Sequence, residues 1–155
     1  MERIKICLTA SSGGHLTQVL LLHKIFKNHN YFFVTEEIPL SLSPVNGEKT
    51  YFLKQINRRK IQLPFVLIYN AFKSYRILKT ERPDLIITTG ALAAVPICIL
   101  AKIFGVKLIF IECYSRIHSA SMTGKFLYRF ADLFIIQREE LLKHYPKALV
   151  SGSIF

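Results

Sequence analysis

The sequence predicts an α/β fold, a parallel sheet with helices on both faces. Three observations lead there. Short β-rich apolar runs alternate with segments of helical period along nearly the whole chain, and parallel strands joined by helical crossovers satisfy that alternation. Two strand-to-helix junctions, at residues 10–15 and 88–91, carry turns of small residues. A length of 155 residues suits one domain, 1–155, with a hydrophobic core of its own.

The elements follow in order. Residues 4–9 (IKICLT) read as a buried strand, and the turn Ala10-Ser11-Ser12-Gly13-Gly14 follows at once. Leu16, Val19, Leu20, Leu22 and Phe26 recur at helical spacing over 15–26. Residues 31–35 (YFFVT) form a second strand. Pro39, Pro44, Asn46 and Gly47 make 36–50 a loop, and 51–53 a short third strand. A long helix over about 62–80 ends at Arg82-Pro83-Asp84. Strand 85–88 (LIIT) leads through Thr89-Gly90-Ala91 into a helix reaching about 104. The remaining units are strand 107–112, a polar loop, helix 123–130, strand 133–137, a short helix at 139–144, and Leu149-Val150. Ligands of such sheets bind beyond the carboxyl ends of the strands. The loops 10–15, 36–50, 88–92 and 112–123 are therefore expected to carry the chemistry.

Within those loops a few residue types stand out. Gly13 and Gly14 let backbone approach a ligand closely, and the following helix N-terminus offers N–H groups to an anion, with Ser12 beside them. His15 is placed to enter the crevice with a pKa suited to proton transfer. The loop has neither the G-x-G-x-x-G spacing of dinucleotide sites nor the Lys-Ser/Thr ending of a P-loop. Thr88-Thr89-Gly90 repeats the arrangement at a later crossover, where hydroxyls and a glycine suit a phosphate or a sugar; a helix cap and tight turn would read the same. Glu112 ends an apolar strand, where a carboxylate is costly unless it is paired or faces the crevice. It is a candidate to deprotonate or bind an acceptor hydroxyl, or an ion-pair partner of Arg116 or a neighbouring lysine. Arg116, in a loop with Tyr114, Ser115, His118 and Ser119, suits a diphosphate. No cluster has metal-ligand spacing, so no metal and no cofactor are expected in this chain.

Composition points toward a surface. Hydrophobic residues make up 51% of the chain, and 21 Lys+Arg against 10 Asp+Glu give a formal charge of +11. Mean hydropathy is +0.31. Apolar and basic together fit an anionic membrane surface. Nucleic acid would explain the charge but not the apolar excess, and no nucleic-acid partner is expected. Arg58, Arg59 and Lys60 precede a helix carrying Phe65 and Phe72, a basic collar around an aromatic helix that suits lipid headgroups, a partner, or deep packing on the sheet. Pro96, Lys102, Gly105 and Lys107 interrupt the most apolar stretch, and the N-terminus has no signal-peptide pattern, so attachment is expected to be peripheral. Cys7, Cys98 and Cys113 are odd in number and widely spaced, which predicts buried free thiols.

These residues resemble a known family. Ser11-Ser12-Gly13-Gly14-His15, Thr88-Thr89-Gly90 with Val95-Pro96, and Phe110-Ile111-Glu112-Cys113-Tyr114-Ser115-Arg116 are the main matches; Ser121-Met122-Thr123-Gly124-Lys125, Ala131-Asp132, Gln137, Tyr145-Pro146 and Ser151-Gly152 continue them. The order resembles the acceptor-side subunit of two-component glycosyltransferases in bacterial capsule and exopolysaccharide assembly, the PssD, CpsF and EpsE type. It is similar also to the membrane-recruiting subunit of the eukaryotic enzyme that adds the second N-acetylglucosamine to dolichol diphosphate. The resemblance implies a Rossmann-like domain equivalent to the N-terminal half of a MurG-like GT-B glycosyltransferase. A partner subunit corresponding to the C-terminal half would grip the UDP-sugar donor, and the chain ends about where that second domain would begin. The eukaryotic subunit has an N-terminal membrane helix and this sequence shows none, so residues 58–79 or 91–104 would have to substitute.

The expected activity is transfer of a hexose from a UDP-sugar to a polyprenyl-diphosphate-linked saccharide at the cytoplasmic membrane face. His15 or Glu112 would serve as base, and Ser12, Gly13, Gly14, Thr89, Gly90 and Arg116 would hold acceptor or diphosphate oxygens. The alternative is a non-catalytic membrane adaptor that recruits and activates the partner.

Overall fold

The computed structural model describes residues 3–11, 13–26, 28–37, 45–56, 62–152 and 154. Among these residues, seven strands form one parallel sheet: β1 (Lys5–Thr9), β2 (Asn30–Glu36), β3 (Thr50–Leu53), β4 (Leu85–Thr88), β5 (Lys107–Ile111), β6 (Leu133–Ile136) and β7 (Leu149–Val150). Their spatial order is β3-β2-β1-β4-β5-β6-β7. The chain thus builds outward from β1 in one direction, then returns to pair β4 on the other side of β1. That reversal leaves a crevice between the β1 and β4 crossovers, at the strands' carboxyl ends.

Alternation along the strands sorts the core into two layers. Cys7, Phe32, Val34, Leu108 and Phe110 point to one face, and Ile6, Leu8, Phe33 and Ile111 to the other. The first face is covered by α2 (Leu63–Glu81), α3 (Val95–Ile103) and α4 (Met122–Leu127). The second packs against α1 (Gly14–His23) through Val19 and Leu22. Helices on both faces of a parallel sheet are what the alternating sequence required, and all three cysteines are buried and free.

Four expected helices are shorter than their periodicity suggested, among them the one expected over 123–130, which ends at Leu127. The first gives way to a 3₁₀ turn at Lys24–Phe26, and a 3₁₀ turn at Leu92–Ala94 precedes α3. The helix expected over 139–144 is a single 3₁₀ turn, Glu139–Leu141. By contrast α2 runs its full expected length. Pro64 suits its first turn, and Arg82 ends it in the left-handed region, its N–H donating to the Leu78 carbonyl at 2.9 Å, just before Pro83.

The inner stripe of α2 is unusually polar. Asn70, Ser74 and Glu81 are buried with Ile77 and Leu78. Asn70 clamps the backbone of Lys54, accepting from its N–H at 2.9 Å and donating to its carbonyl at 2.8 Å. Glu81 binds Lys5 at 2.7 Å, Lys49 at 2.6 Å and the Tyr51 hydroxyl. Burial pushes the Glu81 carboxyl up, but the hydrogen bonds from Lys49, Lys5 and Tyr51 outweigh it and hold the group at about 2. The outer face is the reverse: Phe65, Ile68 and Phe72 are 72%, 68% and 60% exposed. No helix among the described residues is long and apolar enough to cross a membrane.

Candidate active site

A cleft of about 470 Å³ opens at the carboxyl ends of the strands, across the point where strand order reverses. Ser11 and His15 reach it from the β1 crossover, Gly90, Ala91 and Leu92 from the β4 crossover, and Arg116 and residues 120–123 from the segment after β5. Glu36 at the end of β2 and Ile56 beyond β3 complete the wall. Three of the four loops expected there do converge. Of the fourth, the described residue on the cleft wall is Glu36, and residues 38–44 lie outside the described residues. At the far end of that loop Glu48 accepts from Tyr31 and Lys49 meets Glu81.

His15 is fixed by its backbone, since the Thr89 hydroxyl donates to the His15 carbonyl at 3.0 Å. Thr89 therefore joins the two crossovers rather than presenting its hydroxyl to the cleft. The next link is similar: the Gly90 N–H donates to the Thr88 hydroxyl at 3.1 Å. Gly90 has a φ of +93°, and a Cβ there would meet the Phe110 ring at 3.3 Å, so the turn needs glycine twice over. Gly13 has a φ of +87° and Gly14 starts α1; both are exposed and neither is on the cleft wall. Ser12 lies outside the described residues, as do Arg58, Arg59 and Lys60.

The His15 ring lies against the Cys113 thiol. Its Nδ1 is buried and makes no hydrogen bond of good geometry among the described residues. The looser pairing with Cys113 raises the His15 pKa against the opposing effect of burial. In return His15, helped by Ser115, whose hydroxyl is 3.2 Å from the sulfur, brings the thiol down to about 7 despite burial. The sequence identified Cys113 as a buried thiol within a motif; its tie to a residue almost a hundred positions away becomes visible only when β1 and β5 flank β4.

Glu112 is 1% exposed and off the cleft wall. Its carboxylate accepts from the Cys113 N–H at 3.1 Å, the Ser121 N–H at 3.2 Å, the Ser121 hydroxyl at 3.0 Å and the Tyr145 hydroxyl at 2.6 Å. The Gln137 amide donates to its carbonyl at 3.0 Å. Of the two readings open to a strand-end carboxylate, the structure has the satisfied one, but with hydroxyls and N–H groups in place of Arg116. The carboxylate closes both ends of the loop 113–121 and so sets where Arg116 stands. Arg116 is exposed, its guanidinium 3.4 Å from the Ser119 hydroxyl, and free to face an anion in the cleft. The first turn leading to α3 borders the same cleft at Ala91 and Leu92, with its dipole favouring negative charge.

Tyr145, Ser121 and Gly124 were legible only as parts of a motif. A Cβ on Gly124 would come within 2.5 Å of both the Glu112 carboxylate and the Tyr145 hydroxyl, so glycine is what lets α4 sit against them. Phe65 and Phe72, expected at a membrane, are indeed outward on α2. Arg76 stacks on Phe72 at 4.6 Å and Lys54 on Tyr69 at 4.4 Å. Lys79 lies over Tyr75 and Phe104 at 5.8 and 5.6 Å.

Comparison with known proteins gives a consistent picture. A family profile described as "Oligosaccharide biosynthesis protein Alg14 like" matches residues 6–154. The Homo sapiens UDP-N-acetylglucosamine transferase subunit ALG14 is 28% identical over 99% of this chain and 84% of its own length. The Geotalea uraniireducens UDP-N-acetylglucosamine--N-acetylmuramyl-(pentapeptide) pyrophosphoryl-undecaprenol N-acetylglucosamine transferase is 35% identical, over 88% of this chain but 40% of its own. Among solved structures, Acinetobacter baumannii MurG superposes with a TM-score of 0.74 at 19% identity, over 88% of this chain and 42% of that one. The chain thus spans less than half of the bacterial transferase, and the structural likeness establishes a fold: a Rossmann-like sheet equivalent to the N-terminal half of a GT-B glycosyltransferase.

Proposed function

We propose a function from the premise that the chain belongs to the family of Alg14-like oligosaccharide biosynthesis proteins: it is the acceptor-side, membrane-associated subunit of a two-part glycosyltransferase. The observation that carries this reading is that His15, Gly90 and Arg116, from three separate crossovers, line one cleft at the switch point of the sheet. A base, a close backbone approach and a cation are the parts that a sugar joined to a diphosphate calls for. The complex transfers a hexose from a UDP-sugar to a polyprenyl-diphosphate-linked saccharide on the cytoplasmic face of the membrane, in the setting of capsule or exopolysaccharide assembly. The donor is held mainly by a second subunit; support for that division is the word "subunit" in the name of the human relative, matched over most of its length.

In this reading His15 takes the proton of the acceptor hydroxyl as its oxygen attacks the anomeric carbon and the bond to the UDP oxygen breaks. Arg116 and the turn at Ala91 hold the acceptor diphosphate. Glu112 is a positioning residue, keeping the loop of Arg116 against α4. Cations stacked over the aromatic outer face of α2 let that helix lie on anionic lipid, rings inward and charges at the headgroups.

Turnover of UDP-N-acetylglucosamine on membrane-extracted lipid acceptor tests the proposal, using this chain, its partner, and both. Activity in the pair that His15→Ala removes supports it. Full activity with both His15→Ala and Arg116→Ala leaves the chain as a recruiting adaptor, and turnover by the chain alone removes the two-subunit division.

A further inference from the structure

Beside the polar cleft lies a groove of about 440 Å³ between α2, α3 and α4, lined by Leu63, Leu67, Val95 and Phe126. Leu92, Met122 and Thr123 belong to both, so the two spaces share a wall. Among the described residues, Thr123 is the groove's one polar lining side chain. Met122 is 70% and Phe126 50% exposed, leaving apolar surface open beside a site built for charge. Among the described residues, a lining this apolar suits hydrocarbon far better than a sugar or a phosphate.

We propose that this groove takes the first isoprene units of the acceptor's polyprenyl chain. The inference rests on the reading of the cleft as a lipid-diphosphate site. In a polyprenyl diphosphate, hydrocarbon and phosphate are joined through one oxygen, so the tail leaves the cleft within a bond or two of the anion. Among the described residues, the Leu92–Met122 wall is where the cleft passes directly into apolar surface. From there the tail runs past Leu63, in the first turn of α2, whose opposite side presents Phe65. The groove thus leads the chain from the chemistry toward the face that meets lipid, and selects an isoprenoid over a soluble nucleotide diphosphate.

Calorimetric titration of the full chain with inorganic diphosphate, geranyl diphosphate, farnesyl diphosphate and farnesol, all below micelle-forming concentration, tests this. Affinity is expected to rise roughly fivefold to tenfold per isoprene unit, the worth of burying about one or two methylene groups of each unit in an open groove. Val95→Trp, which fills the groove, is expected to bring farnesyl diphosphate down to the affinity of inorganic diphosphate. Phe126→Ser, at a half-exposed position that folding tolerates, is expected to weaken farnesyl diphosphate alone, about fivefold. Equal affinity at every tail length, or a length dependence that survives both variants, overturns the groove while leaving the cleft intact. Farnesol binding without any diphosphate binding keeps the groove and removes the reading of the cleft. No binding by any of the four removes both.

Discussion

His15 and Cys113 make a coupled pair whose pH behaviour is open to measurement. A base must be neutral to act, and the thiol keeps His15 protonated to a higher pH than an ordinary imidazole. If His15 is the base of a two-subunit transferase, as proposed, activity is expected to fall on the acid side at a pH above that of an unperturbed histidine. Cys113→Ala removes the partner, and the acid limb of kcat/KM moves to lower pH; an unmoved limb assigns it to another group. Glu112 answers to stability instead. In Glu112→Gln an amide NH₂ faces donors that now converge on a carboxylate, at a cost of about 1–3 kcal/mol. Gly124→Ala drives a methyl into that carboxylate and the Tyr145 hydroxyl and is expected to cost about 1–3 kcal/mol as well. Urea unfolding checks both, and losses below half a kcal/mol contradict the hub described for Glu112. Tyr145 was no more than a motif letter in the sequence, because nothing local marks a tyrosine that will bond a carboxylate 33 residues away.

At the scale of elements, α2 presents opposite chemistry on its two faces, a buried polar stripe and an exposed aromatic one. Its inner stripe is tied to the sheet by polar contacts, Asn70 to the end of β3 and Glu81 to Lys5, Lys49 and Tyr51. The Glu81 carboxyl sits at about 2 against an ordinary 4.5, so its contribution is full above about pH 4.5 and is lost as pH falls toward 2. That shift corresponds to ~3 kcal/mol at most. Wild-type stability is expected to drop across that window, and Glu81→Gln to flatten the drop while lowering stability near neutrality; unfolding titrations from pH 6 to 2 would show it. An unchanged slope in the variant assigns the acid sensitivity elsewhere. The periodicity of residues 62–80 was enough to place this helix, but not to say which side is out. Its apolar residues surround it, and only contact with the sheet decides that Asn70 and Ser74 go inward while Phe65, Ile68 and Phe72 stay outside.

For the whole molecule, a formal charge of +11 and an aromatic helix face predict binding to anionic vesicles that weakens with salt. The double variant Phe65→Ser with Phe72→Ser is expected to reduce that binding at least tenfold without altering the melting temperature, since both rings are exposed. Cosedimentation with phosphatidylglycerol vesicles measures it, and retained binding moves the lipid contact off α2. The alternation of strands and helices determined the fold class and nearly every strand, because a parallel sheet buries each strand on both faces and writes that burial as a short, continuous apolar run. The crossover residues Gly90 and His15 were legible for the same reason: strand ends and small-residue turns are local signals. Only the tertiary structure decided which of those ends meet. Strand order is set by pairing across the chain, and the reversal at β1 and β4 brings His15, Gly90 and Arg116 together while Glu112 turns away into bonds with Ser121 and Tyr145. Whether a carboxylate faces a crevice or a ring of donors depends on groups distant in sequence, and no local pattern records them.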